Sequence, residues 1–464
     1  MSLPSRELVT WWKPKLRALD PWRTLGVDEI EALYAERRGE PAVYRALATQ
    51  LVMVDRPADL KVLLCGARGS GKSTEITRLA REIQQEFCVV QTDLGEGLPD
   101  NAGTLAVVMV LGVAGLHALQ TWSEPDAEAK ALVKQDNDRV QRGTERLQAA
   151  LSKFGDAMPS VADILGGISS IVTLLNPAAG VVVAGTGAAV KATSGSGSKL
   201  RNSLARGPLE GRLPVDQRDN AKAVIDAVNE IFADLHSLAG RPPLLLADGL
   251  DRKTSVEDVE LALSDEQLLR DLDAALVITG PVNLRHDPRF RATPGNFKLK
   301  ILYNVPVCRR TDHGVEADRE GIQMLCDLYE RRRHAAGIPK DLIPAPLLER
   351  AAYMCAGIVR EFLLLLYEAC NSAIRKGRHS VEPDDLEEAI KSHRLAMEGY
   401  LDEARISILR RVLDKGIVPS GPVADRLLFE NFIACYPNGD VWFRPHEVLV
   451  DYIKSKSTDE PAKV

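Results

Sequence analysis

Lys61-Val-Leu-Leu-Cys65-Gly66-Ala67-Arg68-Gly69-Ser70-Gly71-Lys72-Ser73-Thr74 is the stretch that decides the fold. Val62 to Cys65 is an apolar β-type run, and a helical pattern follows over roughly Lys72–Gln85. Between them the glycines let the backbone turn tightly and aim its N–H groups at an anion. The positive end of the following helix dipole adds to that field. The Gly66-x-x-x-x-Gly71-Lys72-Ser73 spacing in a strand–loop–helix context is the P-loop pattern, which fixes the ligand as a nucleoside triphosphate, read as ATP, with Mg²⁺. Gly66, Ala67, Arg68, Gly69, Ser70, Gly71, Lys72, Ser73 and Thr74 form the expected cradle. Lys72 is expected to reach the β/γ-phosphates and the Ser73 hydroxyl to ligate Mg²⁺.

Strands and helices alternate on both sides of this motif. Phe87–Thr92 leads to Asp93-Leu-Gly-Glu96, and residues 104–121 are apolar and helix-compatible. Val224, Ile225, Val228, Ile231, Phe232 and Leu235 mark a helix over 221–238. Leu244–Ala247 then reads as a buried central strand ending in Asp248. A further strand, Ala274–Thr279, precedes one over Leu299–Val305, and from about residue 312 the chain is mostly helical. This alternation predicts an α/β fold, a parallel sheet with flanking helices. An acidic residue at the end of a central strand points into the crevice where ligands bind, so Asp248 is the expected Mg²⁺ partner opposite Ser73. Hydrolysis needs a carboxylate near the attacking water. Asp251 is the first candidate and Glu96 the second. Asp251 has the alternative of pairing only with Arg252. Thr279 reads either as a γ-phosphate or water contact or as a turn residue.

The chain has 464 residues, 45% apolar and 27% charged, which suits a soluble protein of several domains. A net charge of −6 gives no overall pull towards nucleic acid. The first residues lack the apolar core of a secretion signal, and the seven cysteines lack Cys-x-x-Cys pairs. Both features predict a cytoplasmic protein without disulfides or a zinc site. The eight histidines show no ligand-like spacing. The expected domains are an N-terminal segment 1–44, a core over 45–310, a helical lid over 311–396 and a small domain over 397–464. Trp11, Trp12 and Trp22 in the first segment are expected to dock on the main body.

Within the core, 122–215 is an insertion. Its stretch 164–190 carries no charged residue, and Asn176-Pro177 divides it into arms shorter than the ~20 residues that span a bilayer. It reads as a protein-packed helical hairpin, with a peripheral membrane role as the alternative.

The P-loop, Asp248-Gly-Leu-Asp251-Arg252 and the strand ending in Thr279 together resemble the ASCE branch of P-loop NTPases, and more narrowly AAA+ and STAND ATPases, including the KAP group. A second acid shortly after the Mg²⁺ aspartate is similar to STAND proteins. The apolar insertion and the Asp-x-Leu-Asp-Arg run are similar to KAP proteins. Typical AAA+ proteins have Asp-Glu, whereas Gly249 stands here. Gly357 and Arg360, at the start of a helix, resemble the lid of initiator-type AAA+ ATPases, which implies that Arg360 senses the nucleotide. The resemblance also implies an arginine finger acting on a neighbouring copy, from Arg289 or Arg291, and hence a homo-oligomer. Against that stands an ordinary basic loop containing Arg285.

Residues from about 400 to 455 resemble a winged helix, with helices near Glu403–Leu413 and Val423–Asn431 and a hairpin from Phe432 to Phe443. Between 400 and 455, seven Lys/Arg face eight Asp/Glu, which favours a protein partner over DNA. The resemblance implies an ATP-driven switch coupling nucleotide state to conformation or assembly, with a role in bacterial defence as one setting. The alternatives are a DNA-binding initiator or loader and a membrane-associated effector.

Overall fold

The computed structural model describes residues 5–23, 25–37, 42–122, 130–155, 158–168, 171–176, 181–184, 196–286 and 297–457. They form two compact units, one of residues 43–65 and 75–300, the other of 1–42, 66–74 and 301–464.

The first unit is built on a seven-stranded sheet in the order β4-β3-β2-β5-β6-β1-β7. The strands are β1 Lys61–Gly66, β2 Cys88–Asp93, β3 Val172–Asn176, β4 Val181–Ala184, β5 Pro243–Asp248, β6 Ala275–Pro281 and β7 Lys298–Leu302. β2, β5 and β6 pair in parallel, and β5 and β6 are buried along their whole length. Leu244, Leu245 and Leu246 meet neighbours on both sheet faces, so a continuous apolar run is the sequence such a strand requires. β6 lies between the P-loop strand β1 and the Asp248 strand β5.

The apolar insertion departs from expectation. Val161–Ile168 is a helix, but β3 and β4 are strands, with β3 antiparallel to β2 and β4 antiparallel to β3. The 164–190 segment is therefore not a helical hairpin; β3 and β4 widen the sheet. The reason lies in Val172-Thr-Leu-Leu and Val181-Val-Val-Ala, which are rich in β-branched residues, and in Asn176-Pro177, which disfavours helix at the break. Residues 169–170, 177–180 and 185–195 lie outside the described residues.

Among the described residues, Thr104–Trp122 is the helix long and apolar enough to cross a membrane, yet 83% of its apolar window is buried in the protein. It packs on the Arg218–Ala239 helix through glycines. A Cβ on Gly112 would stand 2.5 Å from Val228 Cγ2, and one on Gly115 would stand 3.0 Å from Phe232 Cε1. The all-round apolar character is that of a core helix.

The second unit joins the lid helices Arg319–Ala335, Ala345–Met354, Val359–Arg375 and Pro383–Glu398 with a winged-helix-like part. The latter has helices Glu403–Lys415, Pro422–Phe429 and Val450–Ser457, and a hairpin of β10 (Ile433–Tyr436) and β11 (Trp442–Pro445); a smaller hairpin, β8 (Cys308–Thr311) with β9 (Gly314–Ala317), precedes the lid. Pro383 opens its helix behind a capping box made by Glu382 and Asp385. Buried Trp12 donates from Nε1 to Arg378 O at 3.0 Å, so it docks on the lid as expected. Trp22 stays 69% exposed and meets the lid through the Arg360 guanidinium.

Gly112 tests the core packing. Gly112→Ala should destabilise the protein by about 1–3 kcal/mol in denaturant unfolding, and adding Val228→Ala should recover part of that loss. A neutral Gly112→Ala would show that the two helices are not in close contact.

Candidate nucleotide-binding site

The P-loop lies in the second unit and turns through Gly69 at φ +86° and Gly71 at φ +102°, conformations that glycine tolerates best. Lys72 is buried and donates from Nζ to Gly66 O and Ala67 O, both at 2.9 Å. The Ser70 hydroxyl is buried without a hydrogen-bond partner among the described residues, while its carbonyl accepts from Arg37 Nη2 at 2.6 Å. Arg360 starts the Val359–Arg375 helix, and its backbone N–H donates to Gly69 O at 3.1 Å. A Cβ on Gly69 would stand 2.6 Å from Arg360 Cβ. Loop and candidate sensor are thus in direct contact. The Arg360 guanidinium lies 5.2 Å from the centre of the Trp22 ring.

The carboxylates gather in the first unit, at the ends of β2, β5 and β6. Asp93 and Asp248 are register partners across β2 and β5. Arg252 bridges them, donating to Asp93 Oδ2 at 2.7 Å and to Asp248 Oδ2 at 2.8 Å. Thr279 donates from its hydroxyl to Asp248 Oδ1 at 2.8 Å and accepts from Gly249 N at 2.8 Å. Thr279 therefore orients Asp248, a role beyond both readings of its sequence position. Burial pushes Asp93 up to about 6; the Arg252 charge opposes this and the Asp248 charge adds to it. Burial alone would lower Arg252, but Asp93 and Asp248 outweigh it and hold the guanidinium's pKa above its ordinary value.

Gly249 has φ +99°, and a Cβ there would stand 2.7 Å from both Asp93 Oδ1 and Gly95 N. A glutamate in this position would not fit, so the departure from Asp-Glu is built into the turn. Asp251 is buried on the next turn, Leu250–Arg252. Glu96 is exposed on the short helix Leu94–Gly97, whose N-terminus Asp93 caps by accepting from Glu96 N at 3.1 Å. Lys253, also buried, donates to Leu98 O at 2.5 Å and Pro99 O at 2.9 Å, and burial lowers it to about 8. Arg289 and Arg291 lie outside the described residues.

The histidines correct the sequence reading. His393 Nε2 and His446 Nε2 both meet Glu361 Oε2, at 2.9 and 2.6 Å. The His393 contact is a hydrogen bond; the His446 contact is a close approach that does not form one. His446 Nδ1 accepts from Val448 N at 3.4 Å. Glu361 also accepts from Asn431 Nδ2 at 3.2 Å. These ligand atoms come together only in the fold, and their spacing in sequence gives no signal. Burial would raise Glu361, but the two histidines hold it well below the carboxylate range. Burial would lower His393, and the Glu361 hydrogen bond overrides it, leaving His393 raised.

No family model matches the chain, and no curated protein matches it. Among solved structures, Aeropyrum pernix ORC2 in its ADPNP–ADP complexes is 13% identical, with TM-score 0.36 over 93% of this chain and 98% of that one. Aeropyrum pernix ORC1 in complex with DNA is 9% identical, with TM-score 0.34 over the same shares, 93% and 98%. The Thermotoga maritima RuvB Holliday junction branch migration motor is 15% identical, with TM-score 0.24 over 50% and 83%. Likenesses this weak carry no argument about the chain.

The histidine cluster sets a pH dependence. A raised His393 contributes stability below its ordinary pKa of about 6.5 and loses that contribution as pH rises through the folded value. His393→Gln should therefore lower the unfolding free energy more at about pH 6 than at about pH 9, by about 1–2 kcal/mol at the lower pH. Equal losses at both pH values would contradict a charged His393–Glu361 pair.

Proposed function

We propose that this protein binds ATP with Mg²⁺ and hydrolyses it, as a nucleotide-dependent switch of the AAA+ kind. The observation that carries the reading is the P-loop itself, with its positive-φ glycines, buried Lys72 and direct contact with the helix bearing Arg360. Lys72 supplies charge to the β- and γ-phosphates, and Arg360 reads the γ-phosphate with a guanidinium suited to bidentate phosphate contact. The Ser73 hydroxyl and the Asp248 carboxylate are hard oxygen donors of the type Mg²⁺ takes. Thr279 and Arg252 orient that carboxylate. When bound, Mg²⁺ neutralises charge on the phosphates. Asp251 is the candidate base for the attacking water, because Gly249 excludes a glutamate beside Asp248. Glu96 stands second.

A DNA-binding initiator is the second reading, supported by the order of sheet, lid and winged helix along the chain. The charge of the wing opposes it. Arg426, the only Lys or Arg on the Pro422–Phe429 helix, pairs with Glu430 at 3.1 Å. A protein partner suits this face better than a phosphate backbone. Retention on duplex DNA that weakens steeply with salt would reverse the preference.

Lys72→Ala should abolish ATP binding. Asp251→Ala should keep binding and slow turnover by about 10²-fold or more, measured as phosphate release. Normal turnover by Asp251→Ala would transfer the base role to Glu96.

A further inference from the structure

Arg68 in the P-loop is gripped by a residue 363 positions away. Asn431 accepts from Arg68 N with Oδ1 at 3.1 Å and donates from Nδ2 to Arg68 O at 2.8 Å. One amide side chain thus satisfies both backbone groups of a single loop residue. The Asn431 side chain is anchored in turn, since Nδ2 also donates to Glu361 Oε1 at 3.2 Å. The backbone of Asn431 is committed to this pose at φ +65°, a left-handed conformation that few residues other than glycine adopt. Phe429, two residues earlier, lies with its ring centre 5.6 Å from the Arg68 guanidinium. On the neighbouring loop residue, Gly69 O accepts from Arg360 N, and Arg360 adjoins Glu361 in the chain.

We propose that Asn431, from the winged-helix-like part, is a positioning residue of the nucleotide site: it holds Arg68 so that the following loop residues present their N–H groups to phosphate. The proposal rests on the nucleotide-binding reading and adds the route by which nucleotide reaches the wing. A turn with two positive-φ residues, Gly69 and Gly71, is not held by local hydrogen bonds alone, and a side chain that fixes one residue at both its N–H and C=O removes that freedom before ligand arrives. Coupling is reciprocal: if the Asn431 clamp strengthens nucleotide binding, nucleotide tightens the clamp and the wing elements on either side of it. Glu361 and His393 from the lid, and His446 from the winged-helix-like part, are the anchor of this clamp.

The test uses the full chain, a fluorescent ATP analogue and amide hydrogen exchange. Asn431→Gly keeps the left-handed backbone and removes the amide. Asn431→Asp keeps the acceptor for Arg68 N, removes the donor, and places a carboxylate against Glu361. Both variants should be folded by circular dichroism and bind the analogue about tenfold more weakly. In the wild-type chain, nucleotide should slow exchange across 422–445, and in Asn431→Gly that slowing should vanish. A purely structural role predicts faster exchange with and without nucleotide and an unchanged affinity, which overturns the proposal. So does wild-type affinity in Asn431→Asp should Asn431→Gly fail to fold. Lys72→Ala separates the two levels. If the wild-type chain binds and Lys72→Ala does not, unaltered affinity in the Asn431 variants refutes the clamp alone. If the wild-type chain does not bind, the nucleotide reading falls and the clamp with it.

Discussion

Asp93 and Asp248 stand side by side at the ends of paired parallel strands, and the Arg252 guanidinium makes that arrangement tolerable. Two like charges about 4 Å apart near a protein surface cost on the order of 4 kcal/mol, and burial adds to it. A single planar cation with two N–H groups directed at two carboxylates offsets the repulsion and fixes both side chains. The turn after β5 follows from the same constraint. Gly249 takes a left-handed conformation against Asp93 and Gly95, and Arg252 reaches back to Asp93 from the turn that follows. The Gly249 N–H is then satisfied by Thr279, which also donates to Asp248. The candidate Mg²⁺ ligand is thereby oriented by three strands, and the position next to it is closed to a glutamate.

The P-loop solves a different problem. Its glycines allow a phosphate cradle but leave the backbone underdetermined, and the structure holds it with groups remote in sequence: Arg37 on Ser70, Arg360 on Gly69 and Asn431 on Arg68. Each meets a backbone carbonyl or N–H, so these contacts hold the loop by its backbone rather than by its side chains.

The strands and the long helices were legible because apolar runs and 3.6-residue periods report burial directly. β5, β6, the Thr104–Trp122 helix and the wing hairpin follow that signal. The β3–β4 hairpin did not, because an uncharged, small-residue run has no period, and its β-branched content was the better guide. Lys72, Asp248 and Thr279 could be picked out from a motif and from strand ends. Asn431, Glu361, His393 and His446 could not, since each lies in an ordinary local pattern and meets its partners only through tertiary packing. Arg252 was visible as a charge near Asp251, but its partners, Asp93 and Asp248, depend on strand register.

The central claim is that the chain is a Mg²⁺-dependent ATP-binding protein. Isothermal titration of ATP into the purified full chain, with Mg²⁺ and then with a chelator, tests it most directly. The account predicts saturable binding of one nucleotide per chain that weakens when Mg²⁺ is removed. Absence of binding in both conditions would contradict it.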